Sequence, residues 1–168
     1  MVYMLKKQLS EHYSVLGIEL DKNDFLYFND EDLKSISSKD LQSVISNPVQ
    51  NYNVILVDVN DTLDESMITE MIYLIEPSTL MINKMVRKDR NILEKIKGRK
   101  VVLNKSLLNS KDLSEFEYEA GIKVFYNMPP LNERKQNNEV VELLRWLGLV
   151  SEKPAEKKES KVFGLFRR

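Results

Sequence analysis

The stretch Asn53-Val54-Ile55-Leu56-Val57-Asp58 is the clearest strand signal in the sequence. Four consecutive apolar residues, three of them β-branched, end in a carboxylate, a pattern typical of a strand that is buried on both faces. Similar apolar runs predict strands at residues 14–20, 71–75, 100–104 and 122–126. Residues 25–28, all aromatic except Leu26, are predicted as either a short strand or an aromatic loop.

Amphipathic segments separate these runs. Apolar residues at helical spacing predict helices at residues 2–12, 40–46, 78–97, 112–120 and 131–149. Gly98 and Gly121 each fit the position just after a helix. Apolar strands that alternate with helices indicate the α/β class: a doubly wound, mostly parallel sheet sandwiched by helices.

Composition excludes several classes of protein. The chain has 168 residues and a net charge of −1, which argues against nucleic acid as a partner. It has no Cys and one His, so disulfide scaffolds, thiolate nucleophiles and Cys-based or multi-His metal sites are excluded. No apolar run approaches the ~18–20 residues of a transmembrane helix, and the N-terminal pattern is not that of a signal peptide. We therefore expect a cytoplasmic protein.

The sequence divides near residue 150. Residues 1–150 are predicted to form one α/β domain, residues 151–160 a charged linker, and residues 161–168 a short amphipathic tail. The tail combines the apolar Phe163, Leu165 and Phe166 with the basic Arg167 and Arg168. Three roles stay open for the tail: binding to an anionic membrane surface, docking in a groove of a protein partner, and folding back on the domain.

Polar residues end the predicted strands, where ligands bind in open α/β sheets. These strand-end residues are Glu19, Asp21, Asp58, Glu76, Asn104 and Asn127. Asp58 is either a Mg²⁺-side carboxylate or a turn acid, and the same alternatives hold for Asp21. Asn104, which Lys105 follows, either reads the edge of a purine or caps a turn. A phosphate-binding loop is missing from the sequence, because its five glycines are scattered.

Charge is also distributed unevenly. Residues 84–105 hold nine basic and two acidic side chains, a local net of +7, which favours either an acidic partner or simply a solvated helix face. Residues 19–32 net −5 and could pair with this basic stretch in a homo-oligomer. His12 is predicted at the surface, and Trp146, which lies beside the apolar stripe of the last predicted helix, is predicted to be a packing residue.

Most of residues 1–149 resembles the MinD/ParA/CpaE-like family of deviant-Walker P-loop ATPases. Five stretches carry the resemblance: Tyr13 to Asp21, Tyr52 to Asp58, Leu74-Ile75-Glu76-Pro77-Ser78-Thr79-Leu80, Lys100 to Lys105, and Lys123 to Pro130. The tail is similar to a short MinD membrane-targeting tail. The resemblance implies that Asp58 lies on the Mg²⁺ side of a nucleotide, that Asn104 contacts adenine and that Pro129 borders the base.

The family's first strand and its phosphate loop would lie before Met1. The resemblance therefore implies that Asp58 and Asn104 remain without a phosphate cradle, and that loss of an inner strand exposes a sheet edge. We expect a non-catalytic scaffold or regulator, with no cofactor, that acts through a protein partner or homo-oligomer, and at the inner face of the cell membrane if the tail binds lipid. The alternatives are an ATP- and Mg²⁺-binding protein whose phosphate loop is supplied upstream or in trans, and a receiver-like module phosphorylated on Asp58.

Overall fold

The computed structural model describes residues 1–46, 51–59, 66, 68–132, 134–135 and 137–151. Helices and strands alternate along this part of the chain, and the predicted α/β class is confirmed. The helices are α1 (Val2–Leu9), α2 (Leu41–Ser46), α3 (Thr79–Lys88), α4 (Ile92–Lys95), α5 (Ser110–Ala120) and α6 (Asn138–Trp146). The strands are β1 (Val15–Leu20), β2 (Leu33–Ile36), β3 (Val54–Asp58), β4 (Ile72–Ile75), β5 (Lys100–Leu103) and β6 (Val124–Asn127).

The strands form two three-stranded sheets, whereas the sequence predicted one continuous sheet. The first sheet has the order β2-β1-β3 and the second has the order β4-β5-β6. All four strand pairs are parallel, as the uniformly apolar runs indicated. Strands β3 and β4 are consecutive in sequence, yet each lies at an edge of its own sheet.

One layer of side chains joins the two sheets. Leu5 and Leu9 of α1 and Leu143 of α6 pack in a single core cluster with Val15 of the first sheet and Val102 of the second. On their opposite faces the sheets have separate cores, one between the first sheet and α2 and one between the second sheet and helices α3 to α5. The shared α1–α6 layer therefore carries the apolar contact between the two halves.

Two strand predictions near the N-terminus need correction. Residues 25–28 form neither a strand nor an open loop, because Phe25–Tyr27 makes a single 3₁₀ turn. The second strand is instead Leu33–Ile36, which the sequence analysis did not predict. Its sequence, Leu-Lys-Ser-Ile, places two polar residues between two apolar ones, which is neither an apolar run nor a strict alternation and so carries only a weak strand signal.

Two long predicted helices are shorter in the structure. The helix predicted at 78–97 breaks at Asp89, which is extended and whose carboxylate accepts hydrogen bonds from the Asn91 N–H and the Lys95 ammonium. Such a local side-chain turn competes with helix hydrogen bonding. The helix predicted at 131–149 is confined to Asn138–Trp146.

The tail prediction lies outside the described residues. The structure describes none of residues 152–168, which include Phe163, Leu165, Phe166, Arg167 and Arg168. Within the part of the chain that is described, we find no helix with the length and hydropathy to span a membrane.

Candidate functional site at the carboxyl ends of the strands

Glu19 is the most buried of the strand-end residues, with 1% of its surface exposed. Its Oε1 accepts hydrogen bonds from the Phe25 N–H (2.7 Å) and from the Ser35 hydroxyl (2.6 Å). A buried carboxylate is costly unless such donors satisfy it. Glu19 therefore anchors the turn after β1 to strand β2, and this internal role accounts for a carboxylate at this position.

Asp58 ends strand β3 directly opposite Glu19 in the register of the first sheet. Its Oδ2 lies 3.2 Å from the Nζ of Lys22, and both side chains are about one-third exposed. Lys22 was not predicted as a site residue, although it is the only basic residue in the acidic stretch 19–32. The carboxylate, for which the sequence left a Mg²⁺-side role and a turn role open, is thus paired with an ammonium from the connection that follows β1.

Asp21 follows β1 in a left-handed conformation, with φ 55°. Its Oδ1 accepts a hydrogen bond from the Ser38 N–H (3.1 Å). The hydrogen bonds from Ser38 lower the pKa of the Asp21 carboxyl below its ordinary value. Asp21 is therefore ionised at neutral pH and fixes the start of the turn before α2.

Asn104 and Lys105 follow β5, as predicted. The Asn104 N–H donates to the Ile75 carbonyl (2.7 Å), so its backbone extends the pairing of β4 with β5. Lys105 has φ 54°, which is uncommon for a residue other than glycine. Its Nζ lies 3.7 Å from the Glu76 carboxylate at the end of β4. Lys105 thus pairs with a strand-end acid, as Lys22 does in the first sheet.

Asn127 ends β6 beside Leu103 of β5. Its Nδ2 donates to the Leu108 carbonyl (3.0 Å), which ties the β5–α5 connection to this strand. The Oδ1 of the same amide is buried and makes no hydrogen bond with the described residues. Pro129 follows two residues later and is half-buried. This amide oxygen retains unused acceptor capacity.

The basic stretch at residues 84–105 is less positive than its sequence suggests. Four of its lysines form ion pairs with acidic side chains: Lys95 with Asp89, Lys97 with Glu94, Lys100 with Glu70, and Lys105 with Glu76. Glu70 and Glu76 come from outside the stretch, so its net charge of +7 is partly neutralised in the fold. This finding favours a solvated surface over a dedicated polyanion site.

The two remaining predictions for single residues have different outcomes. His12 is exposed, as predicted. Trp146 is 64% exposed, and the edges of its ring contact Phe125 and Tyr126. It therefore covers one side of β6 and leaves most of its own surface in solvent.

Together these contacts tie the strand-end side chains to other parts of the chain. Asp21, Asp58 and Lys105 each have a partner from the chain itself, and the described residues contain no group of three or more His, Asp or Glu side chains that could hold a metal ion. Chemically, these side chains can fix the segments that follow the strands, and those segments can present side chains to another molecule. Comparison of the chain with protein-family models and with curated proteins found no match.

Proposed function

We propose that this chain is a non-catalytic scaffold or regulator, built on a MinD/ParA-like α/β architecture, that works through protein partners. One observation carries the proposal: the charged residues at the carboxyl ends of the strands are held by contacts within the chain. Asp58 pairs with Lys22, and Lys105 pairs with Glu76. Of these four side chains, Asp58 and Lys105 are the ones expected to face a nucleotide if one were bound.

Phosphate binding requires cations and backbone N–H groups that face the ligand. Here Lys22 and Lys105 lie against carboxylates of the chain, and no part of the sequence has a glycine-rich loop before a Lys-Ser or Lys-Thr pair. A triphosphate would have to displace two ion pairs and would find no cradle of amides in exchange. A scaffold needs no phosphate site, so both the paired lysines and the missing glycine-rich loop are consistent with that function.

Exposed apolar side chains support a role in protein binding. Leu80 and Met81 follow β4, and Leu107 follows β5, with 64%, 40% and 85% of their surfaces exposed. Because β4 and β5 are parallel neighbours, these connections leave the same edge of the sheet. We call these three residues the carboxyl-edge rim. Exposed apolar groups gathered at one edge are typical of interaction sites.

Isothermal titration calorimetry with ATP and Mg²⁺ tests the non-catalytic part of the proposal. We expect no saturable heat up to about 1 mM nucleotide, which corresponds to a binding free energy weaker than about −4 kcal/mol. A micromolar dissociation constant that Asp58→Ala or Asn104→Ala weakens would contradict the proposal and establish the ATP-binding alternative. If both variants still bound ATP as tightly as the unmodified chain, the nucleotide would bind elsewhere on the protein. That result would also contradict the proposal that the chain binds no nucleotide.

Binding partners are tested by affinity capture from cells with a rim variant and a matched control. We expect that Leu80→Ser combined with Leu107→Ser loses the co-purifying protein that the unmodified chain retains. Tyr118→Ser is the control, because Tyr118 is 89% exposed but lies on α5 and outside the rim. Equal recovery with all three proteins would remove the rim from the proposal. Light scattering of the purified chain then distinguishes a second copy from a different partner.

The buried Oδ1 of Asn127 favours one second candidate, the ATP-binding protein of the resemblance. This oxygen lacks a donor among the described residues and lies at the end of β6, next to β5 in register. Because it is buried, the exocyclic amino group of a base could donate to it only after the end of β6 had moved to expose it. The calorimetric titration with an Asn127→Asp variant separates the two candidates, since only a protein that binds the base would change its affinity.

A further inference from the structure

The connection that follows β1 presents two apolar side chains to solvent. Phe25 is buried in the domain, and Phe28 packs against Tyr3 of α1 with ring centroids 4.4 Å apart. Leu26 and Tyr27 lie between these two anchors and are 73% and 89% exposed. Because aromatic contacts hold the backbone on both sides, the exposed pair belongs to an ordered part of the surface.

Two acidic side chains of the same connection have no cation beside them. Asp30 and Asp32 both pair with the buried Lys6. Asp24 and Glu31 are exposed, and neither makes an ion pair with the described residues. Asp24 directly precedes the 3₁₀ turn, and Glu31 follows its last residue by four positions. We define the acidic turn as Asp24, Leu26, Tyr27 and Glu31.

Helix α3 carries the opposite charge beside exposed apolar groups. Leu80, Lys84 and Arg87 have the spacing i, i+4, i+7, so they share one face of the helix. Ile82 and Met85 pack against the core of the second sheet, which leaves the first face to solvent. Within the part of the chain that the structure describes, neither Lys84 nor Arg87 forms an ion pair. We define the basic face as Leu80, Met81, Lys84 and Arg87.

We propose that the acidic turn of one copy of this chain docks on the basic face of a second copy. The assignment rests on the proposed function, because it names the partner of the carboxyl-edge rim, to which Leu80 and Met81 belong. Each patch combines two exposed apolar side chains with two unpaired charges, and the charges of the two patches have opposite sign. Contact buries the apolar groups and brings unpaired acids beside unpaired cations.

The match between the two patches favours a second copy over a polyanion. A phosphate-rich surface could engage the basic face only, and it would leave the exposed Leu26 and Tyr27 in solvent. A second copy covers both patches with surfaces that the same chain already provides. Complementarity within one sequence therefore identifies the occupant without any other molecule.

The contact joins two different patches, and this has a consequence for the assembly. In a single contact, one copy keeps its basic face free and the other keeps its acidic turn free. Association therefore either closes through two contacts around a two-fold axis or continues to larger assemblies. So few side chains form an interface of the weak class, below about 1,200 Å² in total, so we expect association only at micromolar concentrations or above.

Sedimentation velocity of the full chain measures this association. We expect the average mass to rise with protein concentration between about 20 and 500 µM at low salt. It should fall back toward the monomer mass in about 1 M salt, because the paired charges are exposed. A chain that stays monomeric over this range would overturn the assignment. The scaffold function would survive that result, because affinity capture tests every other partner of the rim.

Charge reversal on each patch tests the contact itself. Asp24→Lys combined with Glu31→Lys gives the turn variant, and Lys84→Glu combined with Arg87→Glu gives the helix variant. Each variant alone should associate at least about tenfold more weakly, because like charges then meet. An equimolar mixture should recover the association, since the reversed turn meets the reversed helix while the two native patches meet each other. Damage to the fold could not be repaired by mixing, so failure of the mixture to recover would overturn the assignment.

A control variant separates this contact from a general effect of charge. Glu115→Lys combined with Glu119→Lys, two exposed positions on α5, makes the same change in net charge as the turn variant and should leave association unchanged. Equal weakening by both would contradict the assignment. Pelleting of a monomeric chain with vesicles of anionic phospholipid, lost in the helix variant, would instead assign the basic face to a lipid surface.

Discussion

The two sheets share an architecture but differ in what lies inside them. The β2-β1-β3 half buries two charged side chains, Lys6 and Glu19, and satisfies each with specific partners. The separate core of the β4-β5-β6 half consists of apolar side chains such as Val101, Leu103 and Ile96, and this half's ion pairs lie at the surface. Both halves have apolar cores, but the first half adds buried charged groups with specific partners, whereas the core of the second half relies on apolar packing.

The largest effect should come from the packed half. Leu103 at the carboxyl end of β5 is completely buried, so Leu103→Ala should lower the free energy of unfolding by about 2–5 kcal/mol through lost burial and a residual cavity. Urea denaturation followed by circular dichroism measures this. Leu107→Ala is the control, since Leu107 is 85% exposed, and it should change stability by no more than about 0.5 kcal/mol. Similar losses of stability in Leu103→Ala and Leu107→Ala would contradict the view that buried packing stabilises this half.

A slightly smaller effect should come from the polar half. Glu19→Ala leaves the Phe25 N–H and the Ser35 hydroxyl without their acceptor, and we expect a loss of about 2–3 kcal/mol. Ser35→Ala removes one of the two donors and should cost about 1 kcal/mol. If Glu19→Ala were neutral, the buried carboxylate would not position this half of the molecule.

Removing a surface polar contact of the second half should change the free energy of unfolding only slightly, and the size of the change should depend on pH. The Lys123 ammonium and the Val124 N–H, both bonded to Glu117, lower the pKa of its carboxyl. A carboxyl with a lowered folded-state pKa stabilises the fold above its unfolded pKa of about 4.5, and this contribution is lost as the pH falls through the folded pKa. Glu117→Gln should therefore cost at most about 1 kcal/mol at pH 7, because Lys123 is solvent-exposed, and nothing near pH 2. Thermal unfolding of both proteins across this range is the measurement. If the stability difference between the two proteins grew toward acid pH, it would contradict a stabilising role for the ionised Glu117 carboxylate.

The smallest effect should be a gain in stability. Lys105 adopts φ 54°, a conformation that glycine reaches without steric cost. Lys105→Gly removes this strain and also an exposed ion pair that contributes little, so we expect a gain of up to about 0.5–1 kcal/mol. Equilibrium unfolding in urea reports the change, and Lys105→Ala controls for loss of the charge. If both variants destabilise the fold equally, the ion pair with Glu76 matters more than the backbone.

Most elements of the fold were predictable, because apolar runs such as Val54–Val57 and Val101–Leu103 carry their own signal. Strand Leu33–Ile36 was not, since a short strand depends on tertiary pairing with β1 rather than on local propensity. The split into two sheets was also missed, because strand composition does not encode which edges meet.

The candidate site was predictable in position but not in chemistry. Strand ends located Asp21, Asp58, Asn104 and Lys105, and the structure brings acid and base together in pairs there. The partners themselves, Lys22 for Asp58 and Glu76 for Lys105, depend on how neighbouring connections fold back over the strand ends. A single sequence holds no direct signal for such long-range pairing.

The shared layer of helices has a consequence for how the chain could be divided. Helix α1 comes from the segment that builds the first sheet and α6 from the segment that builds the second, while the backbone passes from one sheet to the other only between Asp58 and Ile72. Each half thus contributes one helix to the layer that covers both sheets. A polypeptide cut between these two residues would yield two fragments with mutually complementary apolar faces, and reassembly of the nicked protein would depend mainly on burying those faces again in the shared layer.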